Sequence, residues 1–452
     1  MKLKPYPKYK PSGIEWLGDV PAHWQITPLK FDFRIVGGST PKSERPEYWD
    51  GEIVWVSPSD LSKRSSLRIA SSQRKITAEG LASCGTSLVP AGSIVLSTRA
   101  PIGSTAVADI ELCTNQGCKS LVPNASSNPW FYIYLLLVNT EELNVRGKGT
   151  TFLELSSNEL GAFKVGVPSI DEQRLIASFL DRETAKIDTL IGKQEKLIEL
   201  LKEKRQAVIC HAVTKGLDPN VPMKSSGVEW IGDVPEHWDL SSLKRGTDFI
   251  TSGSRGWSEH YADQGSIFIR IGNLTRDRID LDLSELQFVD VPVGSEGERT
   301  RVRPDDVLIS ITAYLGSVAV VPSGLGNAYV SQHVALARPL IRKILPRWIA
   351  YTILSTVGQS HFATQGYGGT KIQLSLEDVR SLPMLMPSLA EQGAIVAFVD
   401  KATTKIDTLI AKAQQAIELQ KEHRTALISA AVTGKIDVRG MVQQEVSEAK
   451  AA

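Results

Sequence analysis

The sequence predicts an α+β protein in which two mixed α/β domains are separated by two long antiparallel helices that form a coiled coil. Three observations predict this fold. A 13-residue peptide occurs twice, a 52-residue segment of helical character occurs twice, and each pair encloses a β-rich segment of similar length. Because both repeats recur in the same order, the chain is expected to be a pseudo-twofold internal repeat of one architectural plan.

The short repeat reads SGIEWLGDVPAHW at Ser12–Trp24 and SGVEWIGDVPEHW at Ser226–Trp238, with ten of thirteen positions identical. We interpret it as a structural bracket at the entry to each domain, with its tryptophans packed between the domain and the helix pair. A catalytic interpretation of Glu15, Asp19 and His23 stays possible, but two carboxylates and a histidine alone specify no reaction. The tryptophans concerned are Trp16, Trp24, Trp230 and Trp238.

The long repeat aligns without a gap between Val167–Asp218 and Met386–Asp437. Each copy opens with an S-x-x-E capping box just after a proline, which predicts a helix start. Apolar residues then follow heptad spacing, which predicts packing along another helix. Mutual packing of the two copies is the economical solution, and the alternative is that each helix merely covers its own domain. The expected packing positions are Ile187, Leu190, Leu197, Leu201, Val208, Ile406, Leu409, Ala413, Ala416 and Leu427.

The two segments between the repeats resemble each other only faintly, but both are rich in β-branched and alternating apolar residues, which predicts strands. PAGSIVLSTRAPIGSTAV (Pro90–Val107) parallels PDDVLISITAYLGSVAV (Pro304–Val320). The sequence therefore predicts two domains of one fold with divergent surfaces. The expected segments are 1–24, 25–166 (first domain), 167–218 (central helix), 219–238 (repeated linker), 239–385 (second domain), 386–437 (C-terminal helix) and 438–452 (polar tail).

Composition limits the possible functions. Of the 452 residues, 42% are hydrophobic and 22% are charged, and the net charge is +1. Any nucleic-acid contact must therefore use local positive charge. The longest apolar run, Trp130–Val138, is too short for a membrane span, and no signal peptide is predicted. Four cysteines without regular spacing indicate a reduced, cytoplasmic protein.

Motifs for catalysis are missing. SSNPW, ending at Trp130, lacks the second proline of an amino-methyltransferase loop, and VTGKID, ending at Asp437, lacks the Ser or Thr of a phosphate loop. Cys113, Cys118 and His333 give no zinc spacing, so buried or surface thiols are the simpler interpretation. We therefore expect no catalytic residue and no metal site in this chain.

The ordered motifs carry a resemblance to a known family. Beyond the two repeats, the first domain contains GGSTPKSERPEYWDGEIVWVSPSDL, TRAPIG and TNQGCKSLVP, and the second contains TSGSRGWSEHY and VSQHVALARP. Over essentially its whole length the chain resembles the specificity subunit of a type I restriction-modification system.

The resemblance implies a function and partners. Each variable domain would be a target-recognition domain that reads one half of a bipartite, asymmetric site in double-stranded DNA. The helices would space the domains and bind two modification (methyltransferase) subunits, and restriction (endonuclease/translocase) subunits would join that complex. S-adenosylmethionine would be bound by the modification subunits, and ATP with magnesium by the restriction subunits.

Within such a recognition role, basic and amide side chains mark candidate contacts in the first domain. Basic residues can neutralise phosphates, and amides suit adenine edges. The alternative interpretation is a solvated surface loop for the basic run Lys63–Lys75 and a turn cap for the amide pair Asn115 and Gln116. The candidates are Lys42, Ser43, Lys63, Arg64, Arg68, Arg74, Lys75, Arg99, Asn115 and Gln116.

The second domain offers a similar mixture of arginine, aromatic and amide groups near glycines. Arginine can read guanine bidentately, whereas lysine mostly anchors phosphate. The candidates are Arg255, Trp257, Tyr261, Arg270, Asn273, Arg276, Arg278, Lys371 and Gln373.

Two other functions are compatible with parts of the pattern. A stand-alone methyltransferase or nuclease would explain a DNA-binding surface, but the missing motifs and the length argue against it. A coiled-coil adaptor that binds only protein would explain the helices, but the local basic runs and the divergence of the two domains disfavour it.

Overall fold

A computed structural model describes residues 4–64, 66–99, 101–148, 153–253, 255–291, 295–366 and 372–440. The chain divides into two compact units. The first unit comprises Met1–Gln194 and Gln415–Ala452, and the second comprises Glu195–Gln414. Each unit thus contains one variable domain and parts of both long helices.

The first unit begins with short strands formed by the first copy of the 13-residue peptide and continues into the variable domain. Its strands are β1 (Tyr9–Pro11), β2 (Asp19–Pro21), β3 (Gln25–Pro28), β4 (Phe33–Gly37), β5 (Trp49–Val56), β6 (Arg68–Ile69), β7 (Arg74–Ile76), β8 (Ile94–Ser97), β9 (Thr105–Ala108), β10 (Cys113–Thr114), β11 (Cys118–Pro123) and β12 (Lys164–Val167). Its helices are α1 (Pro58–Ser62), α2 (Ala78–Ala82), α3 (Pro129–Val138), α4 (Thr140–Val145), α5 (Ser157–Ala162) and the first part of α6 (Ile170–Lys215).

The second unit follows the same order. Its strands are β13 (Met223–Ser225), β14 (Asp233–Pro235), β15 (Asp239–Ser242), β16 (Thr247–Ser252), β17 (Tyr261–Ala262), β18 (Ser266–Ile269), β19 (Phe288–Val289), β20 (Val307–Ser310), β21 (Val318–Val320), β22 (Ala328–Val330), β23 (Val334–Pro339) and β24 (Pro383–Met386). Its helices are α7 (Leu243–Gly246), α8 (Ser295–Thr300), α9 (Pro346–Leu354), α10 (Thr356–Gln365), α11 (Leu376–Arg380) and the first part of α12 (Leu389–Val432).

Sheet topology confirms that the two domains share one fold. The main sheet has the order β4-β11-β8-β9-β6 in the first unit and β16-β23-β20-β21 in the second. A smaller sheet has the order β10-β5-β7 in the first and β17-β19-β18-β22 in the second. Each small sheet contains one parallel pair, which is β5 with β10 in the first unit and β18 with β22 in the second. A strand pair closes each domain, β3 with β12 and β15 with β24.

The long helices are antiparallel in each unit. In the first unit, the start of α6 contacts Tyr6 through Glu172, and the neighbouring Tyr9 hydroxyl donates to Gly434 O just beyond the end of α12. Further along, Asp188 Oδ1 lies 3.0 Å from Arg424 Nε. Residue number therefore rises along α6 as it falls along α12.

The second unit repeats this arrangement with the helices exchanged. Arg205 Nε donates to Asp407 Oδ1 at 3.1 Å. This ion pair is the equivalent of Asp188 with Arg424, because each residue is displaced by 219 positions in the repeat. The predicted α+β fold with antiparallel helices and a pseudo-twofold repeat is confirmed.

The heptad register of the helices differs from the expected one. Ile187, Leu201, Ile406, Ala413 and Leu427 are buried and Val208 is partly buried, as predicted, but Leu190, Leu197 and Leu409 are exposed by 44–46% and Ala416 is half-buried. The prediction was wrong for the three leucines, because another apolar residue stands beside each of them at the more buried position, whereas Ala416 is partly buried like Val208. The least exposed stripe runs through Leu180, Thr184, Ile187, Ile191, Gln194, Ile198, Leu201, Arg205, Val208 and Ala212, and in α12 through Val399, Thr403, Ile406, Ile410, Ala413, Ile417, Gln420, Arg424, Leu427 and Ala431.

The 13-residue peptide holds the first turn of each long helix. In the first unit, His23 Nε2 lies 2.8 Å from Glu172 Oε2, and Trp24 Nε1 donates to Glu172 Oε1 at 3.1 Å. In the second unit, His237 and Trp238 contact Glu391 in the same way, at 3.1 and 3.0 Å. The bracket interpretation thus has a chemical basis: the His-Trp end of the peptide binds the glutamate of the P-S-x-x-E-Q motif.

The glutamine of the same motif joins the helix start to its domain. Gln173 Nε2 donates to Ser126 O, and its Oε1 accepts from Asn128 N, the residue before α3. Gln392 contacts Lys343 O and Leu345 N before α9 in the same way. Because both glutamine side chains are buried and bonded at both ends, each domain is anchored at its helix start.

The tryptophans of the peptide divide into two groups. Trp24 and Trp238 are fully buried in the large cores of their units. Trp16 stacks on Phe163 at 5.5 Å, whereas Trp230 keeps 39% of its surface exposed. The packing prediction was therefore wrong for Trp230. Among the described residues, no helix is long and apolar enough to cross a membrane.

Candidate nucleic-acid interface

A tight turn after β10 presents the predicted amide pair in the first domain. We call residues 115–117, and their equivalents 331–333 in the second domain, the amide turns. The side chain of Asn115 caps its own turn, since Oδ1 accepts from Gly117 N at 2.9 Å, which leaves Gln116 as the exposed amide. Three backbone bonds fix the turn: Asn115 N to Val56 O (2.9 Å), Cys118 N to Asn115 O (3.1 Å) and Thr98 N to Gly117 O (2.8 Å).

The second domain builds the same turn with different side chains. Ser331, Gln332 and His333 take the places of Asn115, Gln116 and Gly117. The same three backbone bonds are present: Ser331 N to Ile269 O (2.9 Å), Val334 N to Ser331 O (3.0 Å) and Ile311 N to His333 O (3.1 Å). A glutamine therefore stands at the middle of both amide turns.

A glycine lets a loop cross each amide turn at close range. A Cβ atom added to Gly38 would lie 2.0 Å from Asn115 O, and one added to Gly253 would lie 2.2 Å from Ser331 O. Only glycine fits where two backbones approach this closely. We call the loops that follow, residues 38–45 and 255–261, the cover loops.

The first cover loop contains two predicted residues, Lys42 and Ser43, and contacts the amide turn. Thr40 Oγ1 donates to Gln116 Oε1, and Trp49 Nε1 donates to Lys42 O at 3.3 Å. The guanidinium of Arg74 lies 3.4 Å above the Trp49 ring. Lys42, Ser43, Arg74 and Gln116 are exposed, so the fold gathers positive charge and an amide on one surface.

Arg99 lies beside the same turn but is already paired. Its Nε donates to Glu154 Oε2 at 3.0 Å, and Lys119 Nζ lies 3.6 Å from the other carboxylate oxygen. Glu154 therefore offsets the positive charge of both residues.

Cys113, the first residue of β10, is buried, and this burial raises the pKa of its thiol to about 12. The thiol is thus neutral at physiological pH and acts as a packing group.

The second cover loop forms a cleft with its amide turn. The cleft has a volume of about 220 Å³ and is lined by Tyr261, Arg270, Gln332 and His333, among others. Arg255 is exposed on the cover loop, and Gln373 forms a backbone bridge with Thr312, next to the residue that bonds to the turn. Arginine, tyrosine and amide groups are thus brought together around the second turn.

Other predicted residues lie outside the cover loops and the amide turns. Lys63 and Arg64 follow α1, and Arg68 is in β6 at the opposite edge of the main sheet from β4, paired with Asp109 at 2.8 Å. Lys75 is half-buried opposite Val54. Arg276 lies over the Tyr314 ring, Arg278 is exposed, and Lys371 lies outside the described residues.

Two predicted contacts were wrong because their side chains are buried. Trp257 is only 4% exposed and packs against Phe268 and Tyr329, so it anchors the cover loop from beneath. Asn273 is buried, accepts from Arg270 N and donates to Asp282 O and Glu285 O. All hydrogen-bonding groups of its amide are used in shaping the backbone there.

The structure adds three residues that were not among the predicted DNA contacts: Thr40, Gln332 and His333. The signal that could have found them is the pair of glycines at 38 and 253, which align the two cover loops and hence the two turns. The remaining candidates stay predictions.

Comparisons with known proteins define the class: the similar proteins are specificity subunits of type I restriction enzymes. The MjaIX specificity subunit of Methanocaldococcus jannaschii is 33% identical over 267 residues, which cover 58% of this chain and 60% of that protein. The chain therefore matches less than two thirds of that relative.

The match to the family model is more extensive. The model for the type I restriction modification DNA specificity domain matches residues 21–200 and 248–419. The chain belongs to this family.

Solved structures support the same fold. A chain from a study of complex assembly and conformational transition of the type I R-M system superposes with a TM-score of 0.72 at 17% identity, covering 92% of this chain and 99% of that one. The HsdS subunit from Thermoanaerobacter tengcongensis gives a TM-score of 0.55 at 18% identity, covering 92% and 98%. At this identity the likeness concerns the fold alone.

Proposed function

We propose that this chain is the DNA-binding specificity subunit of a type I restriction-modification complex, and that each domain reads one half of a bipartite asymmetric site. One observation carries the proposal. Two amide turns have the same backbone hydrogen bonds but different neighbours, with Asn115 and Thr40 around Gln116, and Ser331 and His333 around Gln332. A shared frame with different side chains suits two readers of different sequences.

The chemistry of these surfaces supports base reading together with phosphate binding. A glutamine amide can pair bidentately with an adenine edge, and arginine can pair with guanine. Lys42 and Arg74 in the first domain, and Arg255 and Arg270 in the second, supply positive charge for phosphates. Since the net charge of the chain is only +1, this local charge would concentrate attraction for DNA at the two surfaces.

The same proposal covers the partners. On the two helices, Leu190 and Leu409, and Leu200 and Leu419, are exposed leucines at equivalent repeat positions. Two equal apolar faces suit two copies of one partner. The modification subunits would dock there and carry S-adenosylmethionine, restriction subunits with ATP and magnesium would join in the cytoplasm, and this chain would space the two readers without performing catalysis.

Sequencing of DNA methylation in cells tests the proposal. Host cells that express the modification subunit with this chain are expected to methylate a motif of two unlike halves with an unspecified spacer. Cells that express the modification subunit alone should lack this motif. A single continuous motif, or methylation that does not depend on this chain, would contradict the proposal.

A further inference from the structure

The hairpin between β20 and β21 carries an exposed aromatic side chain in a strained turn. Tyr314 keeps 55% of its surface exposed. The preceding Ala313 has a φ of 59°, in the left-handed region that non-glycine residues seldom adopt. Strain of this kind persists only where the surrounding structure imposes it, and it is concentrated at functional sites.

Hydrogen bonds hold this hairpin tip in place, so Tyr314 is presented by a rigid turn. The bonds are Ser310 Oγ to Thr312 O (2.9 Å), Ser317 Oγ to Tyr314 O (3.1 Å) and Gly316 N to Ser310 O (3.1 Å). A fixed backbone lowers the entropy lost when the ring contacts a ligand.

A cation and a cleft accompany the ring. The Arg276 guanidinium lies 3.7 Å from the centre of the Tyr314 ring. Beside them is a cleft of about 310 Å³, which Gln359, Phe362 and Ile372 also line. Stacked aromatic and guanidinium groups next to an open cleft suit nucleic acid, because its bases are flat and its backbone is anionic.

The hairpin tip is close to the second amide turn. Ile311, three residues before Tyr314, donates its N–H to His333 O at 3.1 Å. The first domain has an equivalent hairpin, since Gly103 N bonds to Ser97 O as Gly316 N bonds to Ser310 O. At the position of Tyr314 this hairpin exposes Pro101. Each domain thus projects one apolar side chain beside its amide turn. Proline and aromatic side chains are the kind that proteins insert at base steps.

We propose that Tyr314 stacks on a base at an opened step of the bound DNA half-site, while Arg276 binds the adjacent phosphate. The inference rests on the proposed function and adds a residue that contacts DNA by stacking. It also gives Arg276 a specific role, which is to bind a phosphate and not to read a base by hydrogen bonds.

Photo-cross-linking tests the proposal. The probe is a duplex that carries the motif found by methylation sequencing, with 5-iododeoxyuridine placed at one position at a time in the half-site and its flanks. The complex of the full chain with modification subunits is irradiated, and the linked peptide is identified by mass spectrometry. One position is expected to link to Tyr314, because iodouracil couples efficiently to a stacked ring.

Affinity for the unmodified duplex gives a second readout. Tyr314→Ala should weaken binding on the order of tenfold, the range of one base–aromatic stack, whereas Tyr314→Phe should bind within about twofold of the native chain. Ile341→Ala is the control, since Ile341 is an exposed apolar residue beyond the opposite end of β23. Arg276→Gln should weaken binding and reduce its salt dependence.

The outcomes separate the two proposals. Native binding by Tyr314→Ala and no cross-link to residues 311–317 would overturn the stacking contact and leave the proposed function intact. If the complex that contains the unsubstituted chain fails to bind the duplex, both the stacking contact and the proposed function would be overturned. Thermal melting of each variant tests whether a loss of binding reflects a loss of fold.

Discussion

At the scale of single residues, Glu172 and Glu391 explain why the 13-residue peptide occurs twice. Each carboxylate accepts hydrogen bonds from a histidine and a tryptophan of its peptide, and Glu172 also accepts one from Tyr6 at 2.7 Å. The Glu172 side chain is 6% exposed and that of Glu391 is 30% exposed. Burial makes the loss of such bonds costly, since the remaining donors stay without partners.

Substitution at these two positions gives the first residue-scale prediction. Glu172→Ala should lower the local free energy of unfolding at the start of α6 by about 2–3 kcal/mol, and Glu391→Ala should have a smaller effect at the start of α12. Hydrogen exchange of peptides covering residues 169–180 and 388–399 measures both. Equal protection in the native chain and in Glu172→Ala would show that the bracket is not stabilising.

The sequence indicates part of this residue-scale chemistry. The repeated peptide and the S-x-x-E boxes were both visible, and Trp24 and Trp238 were expected to pack against the helices. Their bond to the glutamate was not predictable, because a capping-box glutamate is normally expected to bond back to its own helix start. The burial of Trp257 was likewise hidden, since its aromatic partners Phe268 and Tyr329 are distant in sequence.

At the scale of elements, the heptad register of the long helices is the informative error. Leu190–Ile191 and Leu197–Ile198 are apolar doublets, so two registers fit the sequence pattern equally well. The structure selects Ile191 and Ile198, and it places Arg205 and Arg424 in the same stripe with their carboxylate partners. Periodicity alone could not make this choice, because an arginine at a seam position reads as an interruption.

Aspartate substitutions on α6 distinguish the two registers. Ile187→Asp, at a position 6% exposed, should destabilise the first unit by about 3 kcal/mol or more, since it buries a charge. Leu190→Asp, at an exposed position, should change stability by about 0.5 kcal/mol or less. Urea unfolding followed by circular dichroism measures both, and similar losses would restore the register with Leu190 in the seam.

The exposed leucines give a second element-scale prediction, which concerns partner docking. Leu190→Asp and Leu409→Asp should each remove one modification subunit from the complex, and the double variant should remove both, because the two sites are equivalent. Native mass spectrometry of the purified complex gives the stoichiometry. Full occupancy in the double variant would place the docking surface elsewhere.

At the scale of the whole molecule, the repeat explains why one chain contains two related domains. The equivalent sheets, the exchanged ion pairs and the matched glutamine contacts all follow the same repeat. The fold class was predictable from the sequence because the two helical repeats align without a gap and the 13-residue peptide precedes each domain. The two surfaces were harder to predict, since the cover loops differ in length and composition and only Gly38 and Gly253 mark their shared geometry.

Gln116 and Gln332, at the middle of the two amide turns, test the central claim that two unlike surfaces on a repeated frame each read one half of a DNA site. Methylation sequencing compares the native chain with Gln116→Ala and with Gln332→Ala, in cells that express the modification subunit. Each variant should relax base preference by roughly 5- to 100-fold at a position in one half-site only, and the two variants should affect opposite halves. Relaxation of the same half by both variants, or of both halves by either one, would contradict the account.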